Sequence, residues 1–572
     1  MGARPFPGGP SPAPGGSLPA RLPFRRPVWL ILAATLLAVS GVLAPVRAPI
    51  ARAASDGLDI TTAAAYTLVP ARHVVRVVVD VTARNNKPNV MSGGIITKYF
   101  YDSARIAVQS EARNVTATAG GRTLTTSLKA ADGFRILEVR FRSSLFFRQT
   151  LKVRVSFDLP GSAPRSKTDI RVGTAFATFV AWAFGDRGSV RVVVPVGFEA
   201  ETTGSDAAKS TSAGRTIFRS GAIADVGTWY LVVTADRKSA LTNDRIDLAG
   251  GEHLVIRAWP EDPAWRRRVA ALLTKGLPEL VKVTGLAWPV ATDLSIFEVH
   301  TPLLEGYAGV FFEGQDRIEI SEDLDDLTIL HEASHAWFNS NLFDGRWINE
   351  GLANTYGAKG LAVVGSDSLA PDNVSPTDAA AVKLEDWVHP GRIADVATDA
   401  RERFGYDASW TVIRSIVTQL GDDRMRAVLA AAAGKQIAYH GVGEPETVPG
   451  AADWRRFLDL LDEVGGSTSA DDLFRRWVVT DADADRLDER ATARTAYATL
   501  AEAGGEWLPP YYVRAPMSEW NFTEATTRID AATALLGRRD ELAALATNLG
   551  LLPPDALRTA YQTAPESLDA AN

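Results

Sequence analysis

The chain has 572 residues, longer than one hydrophobic core usually serves, so it should divide into roughly two to four domains. With 46% hydrophobic and 23% charged residues and a formal charge of −7, it has the composition of a folded protein. No Lys/Arg-rich block is present, which argues against a nucleic-acid partner. The chain has no cysteine, which excludes disulfides, thiolate metal sites and a cysteine nucleophile, so any metal must be held by His, Asp or Glu.

In chain order, the first feature is an export signal. Arg21, Arg25 and Arg26 precede an uncharged apolar run from Pro27 to Val46, and Ala51-Arg52-Ala53 before Ala54 has the small residues of a cleavage site. Residues 1–53 are therefore expected to be a secretory signal peptide. The run is nearly long enough to span a bilayer, so an uncleaved N-terminal membrane anchor is the alternative. In either case the body is exported, as a secreted protein or an extracytoplasmic, anchored one.

Residues 54–248 read as a β-rich N-terminal domain. Runs at 73–83, 134–142, 151–159, 189–196 and 229–236 alternate, are rich in Val, Ile and Phe, and are separated by Gly, Pro, Asn and Ser clusters. That spacing predicts an antiparallel sandwich with a supporting rather than a chemical role.

Near 250 the period changes. A helix is expected over 263–285, followed by three short strands at 293–300, 306–312 and 316–321. Ser321 is a possible cap for the next helix, with acidic residues at 322, 323, 325 and 326 at its positive end and Leu324, Leu327 and Leu330 facing inward. A second helix is expected over 346–360, with Asp344 as cap and Gly345 as turn residue. After a polar loop (366–380), helical patterns begin at 406–421, 422–434 and 454–465 and continue to about 563. The Asp-rich stretch 481–490 lacks the glycine and terminal glutamate of a calcium loop and reads as a solvated helix start.

The first of these two helices carries His331-Glu332-Ala333-Ser334-His335. A spacing of four is just over one helical turn, so both imidazoles project from one face and can hold a single ion with Glu332 beside them. A catalytic zinc needs a third protein ligand and an open position. Glu350, fifteen residues after His335 on the next predicted helix, is placed to supply it if the turn at Asp344-Gly345 folds that helix back. Two neutral imidazoles and one carboxylate would leave a zinc-bound water acidic enough to react at neutral pH, with Glu332 as general base. Asn349 precedes the ligand and is a candidate to orient it by a hydrogen bond. Trp337 and Phe338 read as packing residues. His73, His253, His300, His389 and His440 have no ligand spacing and are assigned no role.

The run from His331 to Phe338 followed by Ile348-Asn349-Glu350-Gly351-Leu352-Ala353 resembles the gluzincin metallopeptidases of the aminopeptidase-N-like, peptidase MA-like superfamily, which join HExxHxWF to a downstream NEGxA. The resemblance covers roughly residues 290–435. It implies a multidomain α+β architecture: a sandwich-like β domain, a thermolysin-like zincin catalytic domain over 249–480 and a C-terminal helical region over 481–572. It further implies one Zn2+ per chain on His331, His335 and Glu350, a peptide or protein substrate, and an oxyanion-stabilising hydroxyl at Tyr406, which opens a similar Tyr-Asp-Ala-Ser-Trp stretch.

The chain departs from that pattern in three places. The link from His335 to Glu350 is a few residues short, which implies a trimmed turn. The acidic residue that often follows NEGxA by a turn is replaced within Asn354–Gly360. The Gly-Ala-Met-Glu-Asn element that holds a free α-amine in aminopeptidases is absent, and Glu305-Gly306-Tyr307-Ala308-Gly309 stands in its place. Glu305, Gly306 and Ala308 are the candidate substrate-binding residues, on a strand edge that could pair with an extended peptide. The expected function is therefore a zinc metallopeptidase. The alternatives are a non-catalytic extracellular binding protein that keeps the fold, or a zinc hydrolase of a small non-peptide substrate.

Overall fold

The computed structural model describes residues 57–365, 369–551 and 555–571. The expected signal or anchor, residues 1–53, lies outside them. Two compact units form: one from 57–244 with 257–267, the other from 245–256 with 268–571. The N-terminal region is built of β-sheets and the C-terminal region of helices.

The β unit carries the alternation of its sequence into structure. An eight-stranded sheet runs in the order Ala208–Ser212, Arg215–Arg219, Arg187–Val194, Leu58–Val69, Val74–Asn85, Thr150–Pro160, Arg113–Ala119, Arg122–Thr123. Four-stranded and three-stranded sheets contribute to the same core, in which Val75, Val77, Val79, Val155 and Phe157 meet Phe179, Val192, Leu231 and Val233. Every second residue of Leu58–Val69 and Val74–Asn85 points inward, as period-two patterning requires. The expectation of a purely antiparallel sandwich needs correction, because Leu58–Val69 and Arg187–Val194 pair in parallel. The chain enters Arg187–Val194 after crossing through Phe176–Trp182 of the four-stranded sheet, and such a crossover allows two strands to run the same way.

In the second unit a five-stranded sheet has the order Thr242–Asp247, His253–Ala258, Leu294–Val299, Arg317–Ser321, Gly309–Phe312. Gly309–Phe312 is the edge strand and pairs antiparallel with Arg317–Ser321. Helix α1 (Pro263–Thr284) falls where the periodicity puts it. Helix α2 (Asp326–Ser334) starts later than expected. Asp325 caps it by accepting from the Thr328 amide, while Leu324 takes a left-handed φ of 56° outside the helix and so leaves the inward stripe.

Helix α3 (Arg346–Val363) has Gly345 at its N-cap, with no side-chain cap from Asp344. Helix α4 (Val396–Ala433) begins ten residues before Tyr406 and is divided at Gly421, where φ is 75° and ψ 169°. The early start was hidden because the charged residue Glu402 is one of those turned inward, which blurs the apolar stripe. Helices α5 (Trp454–Glu463), α6 (Ala470–Leu473), α7 (Asp481–Gly504), α8 (Tyr511–Ser518), α9 (Phe522–Asn548) and α10 (Asp555–Gln562) complete the unit.

The Asp-rich stretch does start a helix, but Arg490 within it is fully buried. It donates to Asp459 at 2.7 Å and to Asp462 at 2.8 Å and so ties α7 to α5. Burial pushes the Asp459 carboxyl up to about 6, against the pull of Arg490. No helix among the described residues is long and apolar enough to cross a membrane.

Candidate metal centre

Helices α2 and α3 lie against each other closely because α3 is built of small residues where they meet. A β-carbon on Gly357 would stand 3.1 Å from the amide nitrogen of His331. On its other side, a β-carbon on Gly351 would stand 2.7 Å from the Ser409 carbonyl of α4. The link between α2 and α3 is irregular and is pinned from outside: the Asp344 amide donates to Ala452 at 2.9 Å and the Ala452 amide donates to Leu342 at 3.0 Å. The rings of Phe343 and Phe457 meet there at 4.9 Å. This is how the link returns Glu350 to the histidines.

Helix α2 ends at the motif itself, with His335 in the capping position. His331, Glu332, His335 and Glu350 are all buried. The two Nε2 atoms lie 3.0 Å apart, and Glu350 Oε2 is 3.1 Å from His331 Nε2 and 3.6 Å from His335 Nε2. Three ligands at ordinary zinc distances in a tetrahedron are separated by roughly 3.4 Å, so these atoms stand where such a triangle has its corners. They form the one His/Asp/Glu cluster with metal-ligand spacing among the described residues.

The outer ring nitrogens decide what the inner ones present. His335 Nδ1 donates to the Phe338 carbonyl at 2.8 Å and His331 Nδ1 donates to Asn354 Oδ1 at 3.0 Å. In the neutral imidazoles both Nε2 lone pairs therefore face inward. Neither Glu350 oxygen accepts a hydrogen bond. Three acceptors converging in a buried space demand a cation. Without a metal, a proton answers that demand. Burial pushes His335 down, but the Glu350 and Glu332 carboxylates hold it up at about 9, while burial depresses His331. Burial pushes the Glu350 carboxyl up, yet the two imidazoles hold it at about 2. The donor set fits Zn2+, for which imidazole nitrogen and carboxylate oxygen are ordinary ligands.

Glu332 lies against the edge strand: a β-carbon on Gly309 would stand 2.8 Å from its Oε1. Of the other expected substrate residues, Glu305 and Gly306 sit on an exposed turn at φ 54° and 97°, and Ala308 is buried with its carbonyl accepting from the Ser321 amide. Asn349 does not orient Glu350 as expected. Its side-chain amide donates to the Phe343 carbonyl at 2.9 Å and so holds the turn before α3.

A second polar cluster adjoins the first. Arg346, one helical turn before Glu350, makes a two-pronged ion pair with Glu402 at 2.9 and 2.7 Å. Glu402 also accepts from Tyr307 Oη at 3.0 Å and Trp387 Nε1 at 2.8 Å. The Arg346 guanidinium lies over the Trp387 ring at 3.7 Å and stands 3.4 Å from the Tyr406 hydroxyl. Burial and then the charge of Glu350 push the Tyr406 hydroxyl well above its ordinary pKa, so it stays protonated as a donor. His389 stacks on Tyr307 at 5.2 Å and accepts from the Gly391 amide through Nδ1, leaving Nε2 buried without a hydrogen-bond partner.

Asn354 and Arg346 were legible in principle, since each is four residues from Glu350 on the same helical face. Glu402, Trp387 and His389 carry no local signal.

No protein-family model and no curated protein matches the chain. Among solved structures it is similar to an M1 zinc metallopeptidase from Deinococcus radiodurans, with 13% identity over 74% of this chain and 94% of that one at a TM-score of 0.29. A mutant of that enzyme bound to a Tyr-Ser-Ala substrate matches at 12% identity over 73% and 94%, with a TM-score of 0.27. TM-scores this low establish no family, and the functional reading rests on the residues of the site.

Proposed function

We propose that the chain is a zinc-dependent metallopeptidase of gluzincin type, aminopeptidase-like in its motifs, with Zn2+ held by His331, His335 and Glu350. The observation that carries this reading is the convergence of three buried acceptor atoms, spaced 3.0 to 3.6 Å, with no hydrogen-bond donor among them in the neutral imidazoles. A zinc bound there supplies an electrophile that polarises a carbonyl and acidifies water.

Glu332, buried beside the cluster, takes a proton from the attacking water and delivers it to the leaving amine. The Tyr406 hydroxyl donates to the developing oxyanion, held near Arg346, whose charge favours the same oxygen. His389 Nε2–H is a further donor for a substrate carbonyl. Gly309–Phe312 offers a strand edge to an extended peptide, with Glu305, Gly306 and Ala308 at its entrance.

In this reading residues 54–248 are a supporting β domain, 249–480 a thermolysin-like zincin domain and 481–572 a helical region. Residues 1–53 export the chain, which is then secreted or stays anchored. The deciding experiment joins metal analysis with a fluorogenic peptide panel having free and blocked N-termini. One zinc per chain and cleavage that zinc chelation abolishes are expected. A chain that binds no zinc, or one that binds zinc and cleaves no peptide, overturns the reading.

A further inference from the structure

The β unit carries an apolar projection that the proposed chemistry does not use. Strands Val90–Ser92 and Ile95–Thr97 form a hairpin closed by Gly93-Gly94, whose φ values of 57° and 83° are those of a tight two-residue turn. Met91 and Ile95 are 71% and 70% exposed, Ile96 53% and Val90 47%. Met91 pairs with Ile96 on one face while Val90 and Ile95 lie on the other, so the hairpin is apolar on both faces and covers no core with either. A lone two-stranded hairpin is marginal in water, and a contiguous exposed apolar patch marks a docking surface.

Three features identify the occupant. Below the tip stands a collar of aromatic rings, Tyr99, Phe100 and Phe146, all exposed, with Phe100 and Phe146 at 5.6 Å from each other. Around that collar positive charges outnumber negative ones: between residues 86 and 101 the only ionic side chains are Lys87 and Lys98, Arg148 lies over the neighbouring Phe147 ring at 5.1 Å, and the exposed Asp102 stands two residues beyond Phe100. Apolar tip, aromatic collar and cationic rim follow the order of a bilayer interface, from acyl chains to headgroups. A protein groove would cover one face of the hairpin, whereas a lipid phase takes up both.

The first described residue adds a third argument. The Gly57 carbonyl accepts from the Asn86 amide at 2.7 Å, at the foot of the hairpin. The apolar run Pro27–Val46 is joined to Gly57 by ten residues, a reach of at most about 36 Å. The chain that follows the apolar run therefore enters the β unit, at Gly57, beside the foot of the hairpin. The foot itself is rigid, because buried Asn85 donates to the carbonyls of Tyr99 and Leu145 at 3.1 and 2.9 Å and accepts from the Lys87 amide at 2.8 Å.

We infer that the hairpin 90–97 inserts into the interface of an anionic lipid bilayer. The absence of cysteine makes the test clean. Ser92→Cys at the tip and Ser212→Cys on an exposed strand of the same unit are each made in the full chain and labelled with an environment-sensitive fluorophore. The chain is then reconstituted in vesicles of phosphatidylcholine and phosphatidylglycerol, with or without brominated acyl chains. The tip label is expected to shift to the blue and to be quenched roughly twofold by brominated lipid, since interfacial elements lie about 5–10 Å into the headgroup–acyl boundary. The label at 212 should not respond.

Changing Met91, Ile95 and Ile96 together to Asp should abolish the quenching at 92 while leaving peptide cleavage unchanged. A tip label that behaves like the one at 212, or quenching that survives the triple change, overturns the inference. So does a blue shift that needs no vesicles and grows with protein concentration, which would mean docking between copies.

Discussion

Gly309 and Glu332 are packed so closely that a β-carbon on the glycine would stand 2.7 Å from Cγ and 2.8 Å from Oε1 of the glutamate. The edge strand therefore fixes the carboxylate of the proposed base from one side, and only a residue without a side chain permits it. Gly309→Ala should displace the Glu332 carboxylate and lower kcat by at least ~10²-fold, a loss typical of a misplaced catalytic group. Zinc content should be unchanged, because the atoms nearest to the new β-carbon belong to Glu332 and Thr328 and not to the three ligands. Wild-type kcat in this variant would contradict the assignment of Glu332.

His331→Ala, His335→Ala and Glu350→Ala should each remove the metal, read as zinc per chain after dialysis. Since zinc binds the folded state, adding it to metal-free protein at a thousand times its Kd should stabilise the fold by about 4 kcal/mol. The expected upward shift in Tm disappears in all three variants. Asn354→Ala removes the acceptor that sets the His331 tautomer and should weaken zinc binding by roughly 10- to 100-fold without abolishing it.

Glu332→Gln should keep the zinc and lose turnover, by ~10²- to 10⁴-fold if the residue is the general base. The amide matches the carboxylate in shape but cannot take the proton. Full cleavage activity in a zinc-loaded Glu332→Gln chain would remove the mechanism.

Tyr406→Phe should lower kcat by ~10²- to 10³-fold with KM little altered, because a donor to a developing oxyanion acts mainly in the transition state. Its pKa lies well above the ordinary tyrosine value, raised by burial and by the charge of Glu350. The group therefore remains a donor as pH rises through 10, the ordinary tyrosine value, and the rate profile should show no alkaline limb that Tyr406→Phe removes.

Glu402→Gln tests the cluster behind the site. It would leave Arg346 buried without its carboxylate, and breaking a buried pair from one side costs about 3–5 kcal/mol. Urea unfolding should show a clearly lowered midpoint. Arg346 would also lose its anchor beside Tyr406, so kcat should fall together with stability.

Much of this protein follows from local sequence alone. The alternation of Val74–Asn85 and Thr150–Pro160 specifies strands with one buried face, and the spacing of His331 and His335 puts two imidazoles on one face of a helix, because both periods are properties of the backbone. The third member, Glu350, was legible as a candidate. That its Oε2 lies 3.1 Å from His331 depends on Gly357, Gly351 and the pinning of residues 342–344 by Ala452, which are contacts between distant segments.

Tertiary structure alone joined Glu402 to Arg346 across 56 positions and turned a charged residue inward where periodicity expects an apolar one. It also set Arg187–Val194 parallel to Leu58–Val69, and gave Asn349 the Phe343 carbonyl as its partner in place of Glu350. The division has one physical cause. Local sequence determines backbone period and side-chain face, whereas pairing a buried charge or closing a turn depends on which segments the whole chain brings into contact, and no short stretch of residues encodes that.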